Sequence, residues 1–177
     1  MNGIPVTLQL GDNVSNGCTE SLTLDKIENN TAFFIKKTDL TRLCPICLSD
    51  GTLIYTPDGQ INVKDLKAGM QVWTQDELGH IKLATILKTG EALVPPTHQM
   101  MHITLDDGRK LIASQAHPTT DGRFLGDLKI GDTLDGVKIK SIETAKYDEN
   151  STFDILPSGP TGFYWANGIL LKSTLKN

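Results

Sequence analysis

One ten-residue stretch, VKDLKAGMQV at residues 63–72, recurs as LGDLKIGDTL at residues 125–134. Both copies contain Asp-Leu-Lys-x-Gly, which is typical of a tight turn with glycine at its bend that enters a strand. Each copy also follows an apolar strand and a turn that contains proline or glycine. Two copies are too few for a solenoid, so the repeat indicates one domain built from two related halves.

Short apolar segments between closely spaced turn residues predict the fold class of the whole chain. Thr52–Thr56 runs into Pro57-Asp58-Gly59, and Met101–Leu105 runs into Asp106-Asp107-Gly108 before a return strand at residues 109–113. Such segments are typical of strands and hairpins. No window shows the i, i+3, i+4, i+7 apolar spacing of a sizeable helix. The sequence therefore predicts an all-β fold.

Residues 1–43 look like a separate, small β unit. Val6–Leu10 alternates, and Leu22–Ile27 can pair with Ala32–Lys37 as a hairpin around Asn29-Asn30, a dipeptide that tolerates positive φ. A few strands alone bury little apolar surface, so we expect this unit to pack on the remainder of the chain.

Composition excludes several classes of function. Of the 177 residues, 38% are hydrophobic and 21% are charged, which is ordinary for a globular protein. The net charge of −4 gives no basic surface, so binding of nucleic acid through its phosphates is not expected. No apolar run approaches the ~20 residues of a membrane span, and the first residues lack the features of a signal peptide. The sequence does not indicate a compartment.

Three cysteines, Cys18, Cys44 and Cys47, allow at most one disulfide and leave at least one free thiol. Cys44 and Cys47 form a C-x-x-C pair, which is also typical of half a zinc site. Zinc would need further ligands from Cys18 and four scattered histidines, none of which forms a second pair with ligand spacing: His80, His98, His102 and His117. We therefore predict no metal and no cofactor. A Cys44–Cys47 or Cys18–Cys44 disulfide remains open, and the first would cap Cys47 until it is reduced.

Three further segments carry side chains that suit acyl transfer. Cys47 opens the segment that runs to Gly59, Ser114 and His117 form a Ser-x-x-His step after an apolar strand, and Asp154 lies in Phe153–Leu156. A thiol, an imidazole and a carboxylate, each expected at a strand terminus, form a plausible set for nucleophilic catalysis. The aromatic run Phe163-Tyr164-Trp165 and Trp73 are expected in the core, and His98 and His102 are assigned no role.

Taken in this order, the three segments and the late Asn167-Gly168 strand resemble the Hint (Hedgehog/intein) family over roughly residues 47–172. The resemblance implies a Hint fold with a pseudo-two-fold internal duplication, preceded by a small β segment. It divides the chain into residues 1–46, an amino-side substrate segment, and residues 47–177, an autoprocessing domain like the bacterial intein-like domains.

The resemblance also implies a role for each candidate residue. Cys47 attacks the carbonyl of Ile46 and converts the peptide bond to a thioester, and His117 protonates the leaving nitrogen. Asp154 takes the Cys47 proton and tunes the thiol. Ser114 stands where the family usually has threonine, and its hydroxyl could help to position the scissile amide. The reaction would be single-turnover, would need no cofactor, and would act on its own chain.

Departures from the family pattern change the expected outcome. Lys172-Ser173 replaces the His-Asn that ends a splicing intein, and Asn177 lies four residues beyond. The position of the family's other late histidine falls near Gly162, so that histidine is absent as well. We therefore expect thioester formation followed by attack of water, a thiol or an amine, and no full splicing. β-Branched Ile46 crowds its own carbonyl and should slow cleavage. The alternative is a structural or interaction module that keeps the Hint fold without processing.

Overall fold

The structure, a computed structural model, describes residues 13–15, 20–28, 31–38 and 48–176. The chain divides into two compact units, Met1–Leu43 and Cys44–Asn177. The predicted boundary between Ile46 and Cys47 lies outside the described residues and stays a prediction.

Three antiparallel strands form the described part of the first unit. They are β1 (Asn13–Ser15), β2 (Glu20–Glu28) and β3 (Thr31–Thr38), in the order β1-β2-β3. The hairpin expected from Leu22–Ile27 and Ala32–Lys37 falls within the β2–β3 pair. The alternating segment Val6–Leu10 and the Asn29-Asn30 turn lie outside the described residues.

The second unit is built almost entirely of antiparallel strands, as the all-β prediction requires. The described strands are β4 (Leu53–Thr56), β5 (Gly59–Asn62), β6 (Gln71–Gln75), β7 (Ile81–Leu93), β8 (Gln99–Leu105), β9 (Lys110–Ala113), β10 (Thr133–Leu134), β11 (Val137–Lys146), β12 (Ser151–Pro157), β13 (Phe163–Ala166) and β14 (Ile169–Lys172). They form sheets with the orders β10-β11-β8-β9, β12-β7-β6 and β14-β13-β4-β5. In the described ranges, no helix is long and apolar enough to cross a membrane.

Both copies of the repeat adopt the same local structure. Each begins with a 3₁₀ helix, at Val63–Asp65 and at Leu125–Asp127. Each then bends at glycine, Gly69 with φ of 93° and Gly131 with φ of 90°, a conformation that other residues adopt only with strain. The N–H of Gly69 donates to the Ile86 carbonyl of β7, and the N–H of Gly131 donates to the Ile139 carbonyl of β11, both at 2.9 Å. The predicted internal duplication is confirmed.

Alternation along the strands builds one main core. In β4, for example, Ile54 is buried and its neighbours Leu53 and Tyr55 point outward. A fully buried leucine or isoleucine contributes about 1.5–3 kcal/mol. The members of this core with at most 2% exposure include Leu48, Ile54, Val63, Val72, Ile86, Ile103, Leu105, Leu111, Leu125, Ile139, Ile155, Tyr164, Ile169 and Leu171.

The Asn167-Gly168 turn between β13 and β14 ties the two halves together. Asn167 has φ of 50°; its backbone N–H donates to the Leu53 carbonyl at 2.7 Å, and its Oδ1 accepts from the Leu53 N–H at 2.8 Å. Its Nδ2 donates to the Lys110 carbonyl at 3.1 Å, at the start of β9. A Cβ at Gly168 would lie 3.0 Å from the Tyr55 hydroxyl. The turn therefore fixes where β13 ends and where β14 begins.

Candidate functional site

His117 lies at the end of a tight turn that follows β9. Its backbone N–H donates to the Ser114 carbonyl at 3.1 Å, and its carbonyl accepts from Leu125 of the second 3₁₀ helix at 2.9 Å. The next residue of that helix, Gly126, donates to the Gln115 carbonyl at 2.8 Å, and a Cβ there would lie 3.1 Å from the Gln115 Cβ. The second copy of the repeat thus holds the turn that carries His117.

The His117 imidazole is fully buried and therefore neutral at pH 7. Burial lowers the pKa of His117 to about 3, although the nearby Lys172 carbonyl acts in the opposite direction. Its Nε2 lies 3.4 Å from the Tyr164 hydroxyl, and the two rings meet edge to face. Its Nδ1 has no hydrogen-bond partner within residues 48–176. The ring thus offers one buried nitrogen that the described residues leave unoccupied.

Asp154 is buried and makes hydrogen bonds through both carboxylate oxygens. Oδ1 accepts from the Tyr164 hydroxyl at 2.6 Å and from the Ile155 N–H at 2.7 Å. Oδ2 accepts from the Thr174 N–H at 2.7 Å and from the Thr174 hydroxyl at 2.5 Å. Burial raises the pKa of Asp154 to about 6, with the donors on Thr174 and Tyr164 acting in the opposite direction. The carboxylate is therefore mostly ionised at pH 7 and takes up a proton near pH 6.

Ser114 follows the last residue of β9 and is buried. Its Oγ has no partner among the side chains and backbone groups of the described ranges. Buried hydroxyls nearly always form hydrogen bonds, so this oxygen and the Nδ1 of His117 are two exceptions that occur within four residues of each other.

Leu48, the first described residue of the second unit, lies between the strands that carry these groups. It forms isolated bridges with Ala113 of β9 and with Phe153 of β12. Leu48 and Phe153 exchange both backbone hydrogen bonds at 2.9 Å, and Ser49 donates to the Ile112 carbonyl at 3.2 Å. Leu48 therefore lies between β9, which Ser114 follows, and β12, which contains Asp154. Cys47 and Ile46, like Cys18 and Cys44, lie outside the described residues.

Two expectations from the sequence are wrong in detail. Asp154 lies inside β12 and not at a strand terminus, because the apolar residues on both sides of it pair with β7. Of the aromatic residues expected in the core, only Tyr164 is buried. Trp73 and Trp165 are half-buried and line a shallow apolar depression of about 370 Å³, because alternation along β13 turns Tyr164 inward and its neighbours outward.

Sequence reasoning missed three residues of the site. Tyr164 looked like a core aromatic, although a buried tyrosine hydroxyl needs a hydrogen-bond partner. Thr174 lies beyond the last family motif, and Ser173 was considered only as a departure from the family's terminal asparagine. The Ser173 N–H donates to the Gly162 carbonyl at 2.9 Å, and its Oγ lies 3.5 Å from Asp154 Oδ2. The sequence feature that could have indicated them is the pair of hydroxyl residues directly after the last predicted strand. Across the described ranges, no three His, Cys, Asp or Glu side chains are grouped to hold a metal ion.

Comparison with known proteins identifies the fold. The solution structure of a bacterial intein-like domain from Clostridium thermocellum matches with a TM-score of 0.63 and 21% identity, over 72% of this chain and 99% of that chain. A DnaB intein from Synechocystis matches with a TM-score of 0.63 and 19% identity, over 73% and 99%. The gp41-1 intein matches with a TM-score of 0.55 and 28% identity, over 72% and 98%.

No protein-family model matches the sequence, and a search of curated proteins finds no match. The structural likeness, together with the duplicated turn and the all-β architecture, nevertheless defines the class. The chain contains a Hint domain with an intein-like fold, as the resemblance predicted.

Proposed function

We propose that this protein processes its own chain by an N–S acyl shift at the Ile46–Cys47 bond. The observation that carries the proposal is the position of Leu48, which is paired with Ala113 on one side and with Phe153 on the other. Ser114 directly follows Ala113 and Asp154 directly follows Phe153, so both candidate residues adjoin the positions that pair with Leu48. Cys47 is the residue before Leu48, and the proposal assigns its thiol to act together with the Ser114 hydroxyl and the Asp154 carboxylate.

Every bond and proton that changes in the proposed first step belongs to the chain itself. The Cys47 sulfur bonds to the Ile46 carbonyl carbon and loses its proton to a base, and the bond from that carbon to the Cys47 nitrogen breaks as the nitrogen gains a proton. The products are a thioester at Ile46 and a free amine on Cys47. Proton transfer by a positioned side chain is typically worth ~10²–10⁴-fold in rate, and His117 is the candidate donor to the nitrogen.

Burial of His117 refines its role as an acid. A ring with a pKa of about 3 carries no extra proton at pH 7, so His117 must first gain one. The thiol is the available source, and a buried imidazolium then gives the proton up readily to the leaving nitrogen. Each oxygen of Asp154 already accepts two hydrogen bonds, whereas Nδ1 of His117 has no partner within residues 48–176. Asp154, with the higher pKa, is the stronger base, so His117 takes the thiol proton only in the same step in which sulfur bonds to the Ile46 carbon, and the Asp154 charge stabilises the imidazolium that forms.

The thioester would be resolved by water, which leaves a carboxylate on Ile46, or by an external thiol or amine, which transfers the segment of residues 1–46. Lys172 and Ser173 stand where a splicing intein has histidine and asparagine. Neither side chain can cyclise as asparagine does, so the proposal does not include release of a downstream segment.

A second candidate function is a Hint-fold structural module without processing. The observation that favours it is the satisfied Asp154, whose donors on Tyr164 and Thr174 hold the residues after β14 in place. In that case the cluster would stabilise the domain and would have no further task.

Intact-mass analysis of the full chain, with and without dithiothreitol, tests the proposal. Processing splits the 19.3 kDa chain into pieces of about 5 and about 14 kDa, at roughly 110 Da per residue. Cys47→Ala should abolish both pieces, and the matched variant Cys18→Ala should not. A single intact mass at long times, with and without the thiol, would overturn the proposal and favour the structural module.

A further inference from the structure

Tyr164 connects the two titratable groups of the site. It lies in β13, and its side chain is fully buried. Its hydroxyl is 2.6 Å from Asp154 Oδ1 and 3.4 Å from His117 Nε2. One phenol oxygen therefore contacts both the carboxylate and the imidazole.

Counting protons at this hydroxyl decides how His117 is protonated. A phenol has one proton to donate and lone pairs to accept with. An ionised carboxylate can only accept, so the Tyr164 proton points to Asp154 at 2.6 Å. The Tyr164 oxygen can then interact favourably with His117 Nε2 only by accepting a proton from it. A neutral imidazole has one N–H, and this contact favours its position on Nε2.

We propose that Tyr164 is a positioning residue that holds His117 in its Nε2–H form, so that Nδ1 presents a lone pair. The opposite form would put a donor on Nδ1, which has no partner in residues 48–176, and would set the Nε2 lone pair against the oxygen of Tyr164. Both consequences disfavour that form in a buried site.

The consequence for the reaction rests on the proposed function. A lone pair on Nδ1 can take the proton of the Cys47 thiol as sulfur bonds to the Ile46 carbonyl carbon. The resulting imidazolium keeps donating its Nε2–H to the Tyr164 oxygen, and the Tyr164 hydroxyl keeps donating its own proton to ionised Asp154, so the carboxylate stabilises the new charge through the phenol. The Nδ1 proton then passes to the Cys47 nitrogen as the carbon–nitrogen bond breaks. His117 ends neutral, in the form in which it began.

Nitrogen-15 NMR of the histidine rings tests the assignment directly. The full chain carrying Cys47→Ala, which stays intact, is labelled at histidine and measured at pH 7. We expect the His117 Nε2 resonance to be that of a protonated nitrogen and the Nδ1 resonance that of an unprotonated one. Tyr164→Phe should remove this preference and move both shifts toward the average of the two forms.

Two tyrosines serve as matched controls. Tyr147→Phe removes a hydroxyl that hydrogen-bonds Asp50 and Ser151, and Tyr55→Phe removes a half-exposed one. Neither should change the His117 shifts. In the chain that retains Cys47, Tyr164→Phe should slow cleavage by about ten- to a hundred-fold, the range found when the partner that orients a metal-binding histidine is lost.

The outcomes separate this proposal from the proposed function. An Nδ1–H form of His117 in the Cys47→Ala chain would overturn the role of Tyr164 whatever the cleavage assay shows. An Nε2–H form together with a cleavage-inactive parent chain would sustain the tautomer and overturn only the processing reaction. The first measurement needs no Tyr164 variant, so the proposal stays testable if Tyr164→Phe fails to fold.

Discussion

The two halves of the repeat treat the polar groups of their turns in opposite ways. After β4 the chain reverses at once through Pro57 and Asp58, and the Thr56 hydroxyl is used within that turn, donating to the Gly59 carbonyl at 2.7 Å and accepting from Asp58 at 3.2 Å. After β9 a longer loop leads to the second 3₁₀ helix, and the Ser114 hydroxyl and the His117 Nδ1 have no partner among the described residues. The same fold unit therefore occurs twice: in the first copy its polar groups form hydrogen bonds within the turn, and in the second copy they belong to the candidate site.

Removing the His117 imidazole should change the cleavage rate more than any other substitution that distinguishes the two halves. His117→Ala should slow cleavage by about 10²–10⁴-fold, since it removes the group that moves the proton. The matched change in the first half, Asp58→Ala, should leave the rate within about two-fold of the parent, because Asp58 only shapes an exposed turn. Cleavage followed by intact mass measures both. Equal rates for His117→Ala and the parent would contradict the assignment of the acid.

Between pH 4 and 6, the pH dependence of stability should also come mainly from the second half. The pKa of Asp154 is raised from 3.8 to about 6, so its protonation stabilises the folded chain as pH falls from 6 toward 3.8. The pKa of His117 is lowered from 6.5 to about 3, so the folded chain loses stability as pH falls below 6.5. The two effects offset each other between pH 4 and 6.

Asp154→Asn removes one side of this balance. We compare both chains in the Cys47→Ala background. As the pH is lowered from 6 to 4, the free energy of unfolding of Asp154→Asn should decrease by about 1.4 kcal/mol per pH unit more than that of the parent. Urea unfolding at several pH values measures the slopes, and adding His117→Gln should restore a flat profile. Parallel slopes for the parent and Asp154→Asn would contradict the raised pKa of Asp154, and a flat profile for Asp154→Asn would contradict the lowered pKa of His117.

Removing the hydroxyl at the end of β4 or the one after β9 should affect different properties, stability in the first case and cleavage rate in the second. Ser114→Ala should slow cleavage by about five-fold, the value of one ordinary hydrogen bond to the reacting amide, with little change in stability. Thr56→Ala should lower the free energy of unfolding by about 1 kcal/mol and leave the rate unchanged, since its hydroxyl bonds only its own turn. Cleavage rates and urea midpoints test the pair. A slower Thr56→Ala would show that the two halves are coupled more strongly than their separate hydrogen bonds indicate.

Thr174→Val should have the smallest effect. It removes one donor to Asp154 Oδ2 and so raises the pKa of Asp154 further. Loss of a hydrogen bond to a charged group is worth about one pKa unit, which lowers the ionised fraction, and with it the rate, by about two-fold at pH 7. The acid limb of the pH–rate profile should move upward in pH. A faster variant at pH 7 would instead identify Asp154 as an acceptor of the thiol proton that Thr174 obstructs.

The sequence predicted the frame of the site better than its contacts. Two Asp-Leu-Lys-x-Gly turns were enough for the duplication, because glycine at a positive φ and apolar residues after it specify that turn locally. His117 and Asp154 could be matched to family motifs, and the structure connects them through Tyr164. That connection depends on the alternation of β13 and on which face of the sheet it buries, so a motif cannot report it.

The residues after β14 were missed for a different reason. Thr174 reaches Asp154 across twenty residues of chain, and the contact requires β14 to be paired with β13 in the sheet. Long-range hydrogen bonds of this kind leave no periodicity in the sequence. The pKa shifts of His117 and Asp154 result from burial, which likewise arises only once the strands have packed.

The anchoring of Leu48 between two strands has a thermodynamic consequence for the proposed reaction. An amine formed on Cys47 would stay beside its thioester, since the residue after it is fully buried and hydrogen-bonded on both sides. Such an amine has a very high effective concentration toward the acyl group, so the peptide bond would re-form readily. The amide and the thioester would then interconvert, and the yield of cleaved product would depend on the concentration of the nucleophile that consumes the thioester.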